Sequence, residues 1–171
     1  MKLSKPTYYF HQVLLALLLL TLPGTFLARE PAQSAPNIDV RGSLSGENVR
    51  RGRSSQVMVV MDIPSGFHVN SSRPLEKFLI ATQLRIEAPG GMRVGPVLYP
   101  RAALRTLKFS KSKVSVYEGR ATMRFNVTVP ANFGSDSVEL KARLRYQSCN
   151  DEVCFPPQTR ELTIPIKISG K

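Results

Sequence analysis

The sequence predicts an all-β protein built as an antiparallel β-sandwich. Runs of residues alternate between apolar and polar side chains with a period of two, turns rich in glycine and proline separate these runs, and helical periodicity is almost absent. Seven or eight short strands of this kind are typical of a sandwich, because each strand turns one row of side chains toward a shared core.

The first residues have the pattern of an export signal. Two lysines precede an apolar run, Val13–Leu22, whose ten residues suit a secretory signal and are few for a membrane span. We therefore expect residues 1–28 to be a signal peptide, with Ala28 and Ala35 as candidate cleavage positions. If it stayed uncleaved, this segment would anchor the protein at its N-terminus. The expected location is the periplasm or another exported compartment, where cysteines can pair.

The rest of the chain divides into a tether and a β-domain. Residues 29–37 are rich in proline, alanine and serine, which predicts a flexible tether, and residues 38–171 form the domain. About 140 residues are enough for one domain with a sizeable core. No later apolar run is long enough to cross a bilayer.

Strands are expected wherever alternation or β-branched residues dominate. In chain order they cover residues 38–45, 56–63, 78–88, 92–99, 113–116, 120–129, 138–146 and 162–168. The clearest inward rows are Ala121, Met123, Phe125, Val127 and Val129, and then Val138, Leu140, Ala142, Leu144 and Tyr146. Residues 101–112 show neither pattern, and Glu118-Gly119 predicts a tight turn.

The two cysteines, Cys149 and Cys154, lie between the last two alternating runs, so we expect them to join the arms of a β-hairpin. Continuing the register of residues 138–146 points residue 148 inward and Cys149 outward, where a thiol is reachable and can react. Closing so short a loop contributes only on the order of 2 kcal/mol. Two interpretations stay open at this point: a bond that is opened and closed in use, and a structural disulfide.

The net charge of +12 favours anionic partners, including peripheral contact with an anionic membrane surface, or simply keeps an exported domain in solution. Nucleic acid is not expected as a partner, because export separates the protein from most of it and tryptophan is absent. His68 is a lone histidine in the expected domain, and such a residue is usually structural. Together with two cysteines it is an incomplete ligand set for copper or zinc, without metal-site spacing.

Several segments resemble a known family. Tyr146–Cys149 followed by Cys154–Gln158 is similar to the active-site hairpin of the N-terminal periplasmic domain of the thiol:disulfide interchange protein DsbD. Ile63–Asn70, Phe78–Thr82 and Val97–Pro100 also resemble that family, and the likeness extends over nearly all of the expected mature chain. The resemblance implies an immunoglobulin-like sandwich.

It further implies a cofactor-free exchange reaction at the cysteine pair. Cys154 would attack the partner disulfide and Cys149 would resolve the adduct. An aromatic cap loop shields the pair in this family, and its nearest counterpart here is Phe109. The similar segments also contain Tyr146, Pro156 and Pro157, which would support the hairpin.

The implied partners are thioredoxin-like exported proteins. A full DsbD also contains a membrane electron conduit and a C-terminal thioredoxin-like domain, which this sequence does not show. We therefore expect a separate membrane electron transporter to supply the reducing power. The alternative is a non-catalytic β-sandwich that binds an envelope component and keeps a structural disulfide.

Overall fold

Twelve β-strands and no helix make up residues 34–170, the part of the chain that this computed structural model describes. The strands are β1 Asp39–Leu44, β2 Val49–Arg50, β3 Ser54–Asp62, β4 His68–Asn70, β5 Gln83–Glu87, β6 Arg93–Val94, β7 Ala103–Arg105, β8 Val114–Tyr117, β9 Arg120–Thr128, β10 Ser137–Tyr146, β11 Ser148–Cys149 and β12 Gln158–Ser169. The predicted signal peptide and the first part of the predicted tether lie outside the described residues. Within residues 34–170, no helix is available that could cross a bilayer.

The strands form three four-stranded sheets. Their orders are β1-β3-β9-β6, β2-β12-β10-β5 and β11-β4-β8-β7. All neighbours are antiparallel except β2 and β12. The longest ladders join β10 to β12 and β3 to β9, which are the strands that the sequence predicts most clearly.

A large core forms from the inward rows of the long strands. The row predicted for residues 120–129 is buried throughout, and Leu140, Ala142, Leu144 and Tyr146 of β10 are at most 2% exposed. Ile164, Ile166 and Ile168 of β12 complete this core. Each buried valine, leucine, isoleucine, methionine or phenylalanine among them stabilises the fold by about 1.5–3 kcal/mol when it leaves water.

Two of the weaker strand predictions are wrong in part, and one stretch without a predicted strand contains one. The strand expected over 78–88 is reduced to β5, and the one expected over 92–99 to β6 and an isolated bridge at Leu98. Residues 101–112, which show no pattern, contain β7. These short strands lie at sheet edges, where only one neighbour fixes the backbone and side-chain alternation is a weak guide.

The third sheet carries a separate small apolar cluster. Its buried members are Leu79, Leu107, Val114 and Val116. We call this group the small cluster. All four residues of β8 are buried, although the sequence predicts that they alternate, because the small cluster covers one face of this strand while Tyr117 packs in the large core on the other.

Candidate functional site

The segment between β10 and β12 changes sheets at Gln147. β10 pairs with β12 as far as Tyr146, opposite Gln158. The next two residues form β11, which pairs with β4 of the third sheet and places Cys149 opposite His68. This change resets the register, so Ser148 and Cys149 are both fully buried. The prediction that Cys149 points toward solvent is therefore wrong.

Cys149 and Cys154 form the predicted disulfide across this excursion. Their Cα atoms are 3.9 Å apart and face each other as an isolated antiparallel bridge. The two sulfurs differ in access, because Cys149 is 0% exposed while Cys154 is only partly buried. Val153, next to Cys154, is 45% exposed. The bond is therefore more accessible from the Cys154 side than from the Cys149 side.

The loop between the cysteines is shaped by Asn150. Its side-chain Oδ1 accepts hydrogen bonds from the backbone N–H groups of Glu152 at 2.9 Å and Val153 at 2.7 Å. The Asn150 N–H in turn donates to the Val153 carbonyl. Asparagine is suited to such a turn because its short amide can replace a backbone acceptor. The loop thus presents Cys154 at a fixed place beside β11.

Gln147 braces the excursion from inside. Its Oε1 accepts hydrogen bonds from Asn70 Nδ2 at 2.9 Å and from the Ile80 N–H at 3.0 Å. Its Nε2 donates to the Phe155 carbonyl at 3.1 Å. One side chain therefore connects β4, the loop before β5 and the residue after Cys154. This role of Gln147 was not predicted, although a glutamine at the point where strict alternation stops is a signal in the sequence.

The loop that contains Phe109 lies against the hairpin. Phe109 is half-buried and packs against the small cluster, as Cys154 also does. The Lys108 N–H donates to the Asp151 carbonyl at 2.9 Å, and Lys108 Nζ forms an ion pair with Glu152 at 3.1 Å. Both contacts connect this loop to the turn between the cysteines.

Comparison with protein families gives one match, described as "Thiol:disulfide interchange protein DsbD, N-terminal", over residues 44–165. The chain belongs to this family. The match includes both cysteines, the residues opposite them and the Phe109 loop. A comparison with curated proteins gave no match.

Two solved structures are similar to this chain. The reduced N-terminal domain of DsbD from Neisseria meningitidis is 19% identical with a TM-score of 0.48, over 75% of this chain and 85% of that one. The N-terminal periplasmic domain of ScsB from Proteus mirabilis is 12% identical with a TM-score of 0.51, over 77% of this chain and 48% of that one. The predicted immunoglobulin-like antiparallel β-sandwich is confirmed.

The residues expected to support the hairpin occupy different environments in this DsbD N-terminal domain. Tyr146 is 0% exposed, and its hydroxyl donates to Gln158 Oε1 at 2.9 Å. Pro156 and Pro157 are exposed. The buried residue between Cys154 and these prolines is Phe155, whose ring centroid lies 6.1 Å from that of Phe67.

His68 is the titratable side chain directly opposite Cys149. It is 3% exposed, and its Nε2 atom has no hydrogen-bond partner among the described residues. Burial lowers the pKa of His68, while the negative charges of Asp151 and Glu118 act in the opposite direction. The imidazole is therefore neutral at pH 7.

Metal ligands do not gather around the hairpin. Over residues 34–170, no group of three or more histidine, cysteine, aspartate or glutamate side chains could hold an ion. In the state described here, both cysteine sulfurs are used by the disulfide. The DsbD N-terminal family match points to the disulfide itself as the reactive group.

The outer face of β10 carries several basic side chains, with Glu87 opposite Lys141 and Glu161 opposite Arg143. Lys141, Arg143 and Arg145 are exposed along it, and Arg85 of β5 lies opposite Arg143. Of these, Arg143 forms an ion pair with Glu161 at 2.9 Å. Peripheral contact with an anionic membrane surface stays a prediction for this face.

Proposed function

We propose that this protein is an exported thiol–disulfide exchange module. It passes electrons between thioredoxin-like proteins through reversible opening of the Cys149–Cys154 bond. Membership of the DsbD N-terminal family and the presence of this disulfide support the proposal. The reaction requires no cofactor, because the cysteine pair itself holds and releases the two electrons.

The sulfurs of Cys149 and Cys154 are unequally buried, and this difference is the main support for the proposal. Cys154 is partly exposed at the end of a turn, whereas Cys149 is fully buried on β11, next to β4 in the same sheet. A pair of this kind suits a division of roles, because the outer sulfur can reach a partner while the inner sulfur cannot. Cys154 is thus the attacking group and Cys149 the resolving group.

The exchange has two balanced steps. The Cys154 thiolate attacks one sulfur of the partner disulfide, a bond forms between the two proteins, and the other partner sulfur leaves with the electron pair. Cys149 then attacks the Cys154 sulfur, which closes the Cys149–Cys154 bond and releases the first partner sulfur. The partner ends reduced to a dithiol, and this protein ends oxidised.

Access to Cys154 is controlled by the Phe109 loop. Phe109 and Cys154 pack against the same small cluster, and Lys108 connects the loop to the turn between the cysteines. Partner docking displaces the aromatic side chain. Tyr146, Pro156 and Pro157 keep the hairpin arms in place on either side of the bond.

The proposed cellular context follows from the sequence. Residues 1–28 direct export, and they act as an N-terminal anchor if they are not cleaved. Residues 29–37 act as a tether, and residues 38–171 form the exchange domain. A separate membrane electron transporter reduces the pair in the periplasm. The basic outer face of β10 then favours positions close to anionic lipid.

Covalent trapping tests the function directly. The full chain carrying Cys149→Ala is incubated with an oxidised thioredoxin-like protein and separated on a non-reducing gel. We expect a mixed disulfide through Cys154, because the residue that resolves it is gone. Cys154→Ala is the matched control and gives no adduct, since Cys149 is buried. Absence of an adduct with Cys149→Ala contradicts the proposal.

A further inference from the structure

His68 and Cys149 occupy the same enclosed space. They are directly opposite each other in the β4–β11 pairing. Opposed residues of antiparallel strands extend from the same face, with Cβ atoms about 4.5–5.5 Å apart. His68 is 3% exposed and Cys149 is 0% exposed, so solvent reaches neither side chain freely.

One ring nitrogen of His68 makes no hydrogen bond among the described residues. This atom, Nε2, is buried. Such atoms are uncommon in native proteins, and each one calls for an explanation. In the oxidised state the Cys149 sulfur has no proton to donate. Reduction gives Cys149 an S–H group on the same face as this ring.

A buried resolving thiol needs a proton acceptor. The thiolate is the nucleophile in disulfide exchange, and burial among apolar groups disfavours the thiolate. Cys149 is enclosed, so hydroxide from bulk water is a poor acceptor for its proton. A neutral imidazole beside the thiol supplies the missing base.

We propose that His68 accepts the Cys149 proton when Cys149 resolves the mixed disulfide, a role that rests on the exchange function proposed above. The Cys149 S–H bond breaks as its proton moves to the imidazole. The sulfur electron pair forms the bond to Cys154, and the bond between Cys154 and the partner breaks. The partner sulfur leaves with the electron pair of the broken bond. The proton held by His68 is then released to the partner sulfur, and the imidazole becomes neutral again.

The charges around His68 are compatible with this role. Asp151 in the turn between the cysteines and Glu118 after β8 both raise the pKa of the imidazole, but burial is the larger effect and lowers it. Glu118 is itself paired with Arg105 at 2.6 Å. Lys108 of the Phe109 loop binds the Asp151 carbonyl and the Glu152 carboxylate. His68 is therefore neutral and able to accept a proton at pH 7.

The two steps can be separated with dithiobis(nitrobenzoate), a disulfide that releases one coloured thiolate in each step. The reduced full chain is mixed with this reagent in a stopped-flow instrument between about pH 5 and pH 9. The first release reports attack by Cys154, and the second reports resolution by Cys149. Cys149→Ala removes the second release and so identifies it.

We expect the second rate constant of the unmodified chain to be nearly independent of pH between about pH 6.5 and pH 8, where His68 is neutral and Cys149 is protonated. Below the lowered pKa of His68 the rate falls, because the imidazole is already charged. In His68→Gln the second release is about 100-fold slower at pH 7. Its rate then rises roughly tenfold per pH unit, following the thiolate fraction.

Lys167→Gln, an exposed change on β12, serves as the control and leaves both releases unchanged. The inference is overturned if the second release in His68→Gln has the same rate and the same pH profile as in the unmodified chain. If the first release is normal in that case, the proposed function still holds. If the unmodified chain shows no first release, the proposed function fails and the inference fails with it. If His68→Gln does not fold, the unmodified chain provides the test. A rate constant of the second release that rises tenfold per pH unit over the whole pH range overturns the inference.

Discussion

At the scale of single residues, the site depends on how a few polar side chains are buried beside a disulfide. Burying an amide or imidazole costs free energy unless a partner is present. Gln147 is fully partnered by Asn70, Ile80 and Phe155, whereas Nε2 of His68 is not. The first residue therefore fixes the geometry of the excursion, and the second is available for chemistry.

Replacing Gln147 by alanine tests the bracing role. The change leaves three buried or half-buried groups without their partner, so we expect the free energy of unfolding to fall by at least about 2 kcal/mol. Urea denaturation of the oxidised full chain measures this loss. Gln83→Ala, at an exposed position of β5, is the matched control, and it should change stability by less than about 0.5 kcal/mol. Equal effects of the two changes would show that Gln147 does not brace the hairpin.

At the scale of elements, the third sheet separates the reactive bond from the main fold. β11 and β4 are only two and three residues long, and the small cluster beside them is far smaller than the large core. Short elements with few apolar contacts open at lower free energy than long ladders. We therefore expect that the Phe109 loop moves without disturbing the β10–β12 hairpin.

Removing the aromatic ring of Phe109 tests this cover. Phe109→Ala gives up part of the packing over the small cluster, a loss of about 1–2 kcal/mol. We expect dithiothreitol to reduce the Cys149–Cys154 bond roughly tenfold faster, as followed by quenching with a thiol-alkylating reagent. Phe133→Ala, a half-buried phenylalanine that packs against the large core instead, should leave this rate unchanged. A Phe109→Ala protein reduced at the original rate would exclude a cap role for Phe109.

At the scale of the whole molecule, stability and reactivity reside in different places. The large core contains neither cysteine, since Cys154 packs against the small cluster and Cys149 is not among the residues of the large core. The disulfide closes a short loop, and its expected contribution is on the order of 2 kcal/mol. Opening the bond should therefore leave the sandwich folded.

A comparison of two variants tests this separation. Cys149→Ser combined with Cys154→Ser should lower the free energy of unfolding by about 2 kcal/mol and keep the far-UV circular dichroism spectrum. Leu144→Ala, in the large core, should cost about 2–5 kcal/mol. If the double serine protein is unfolded while Leu144→Ala is folded, the disulfide is structural and the separation is wrong.

Some of these structural features could be predicted from the sequence and others could not, for physical reasons. The alternation of β9 and β10 reflects one buried face on each strand. Gly119, where the sequence predicts a turn, has a positive φ of 58°. The burial of Cys149 could not be predicted, because it depends on β11 pairing with a strand about eighty residues earlier. The bracing by Gln147 depends on the same distant contact. The short edge strands β6 and β7 carry too few residues to show a period.

The proposed function requires that the Cys149–Cys154 bond opens and closes while the protein stays folded. Its most direct test is the equilibrium reduction potential, measured by thiol trapping in defined redox buffers with the circular dichroism spectrum recorded in each. We predict a potential between about −300 and −180 mV, the range of exchange proteins, with an unchanged spectrum. A potential far below about −300 mV, or loss of the sandwich on reduction, would contradict the account.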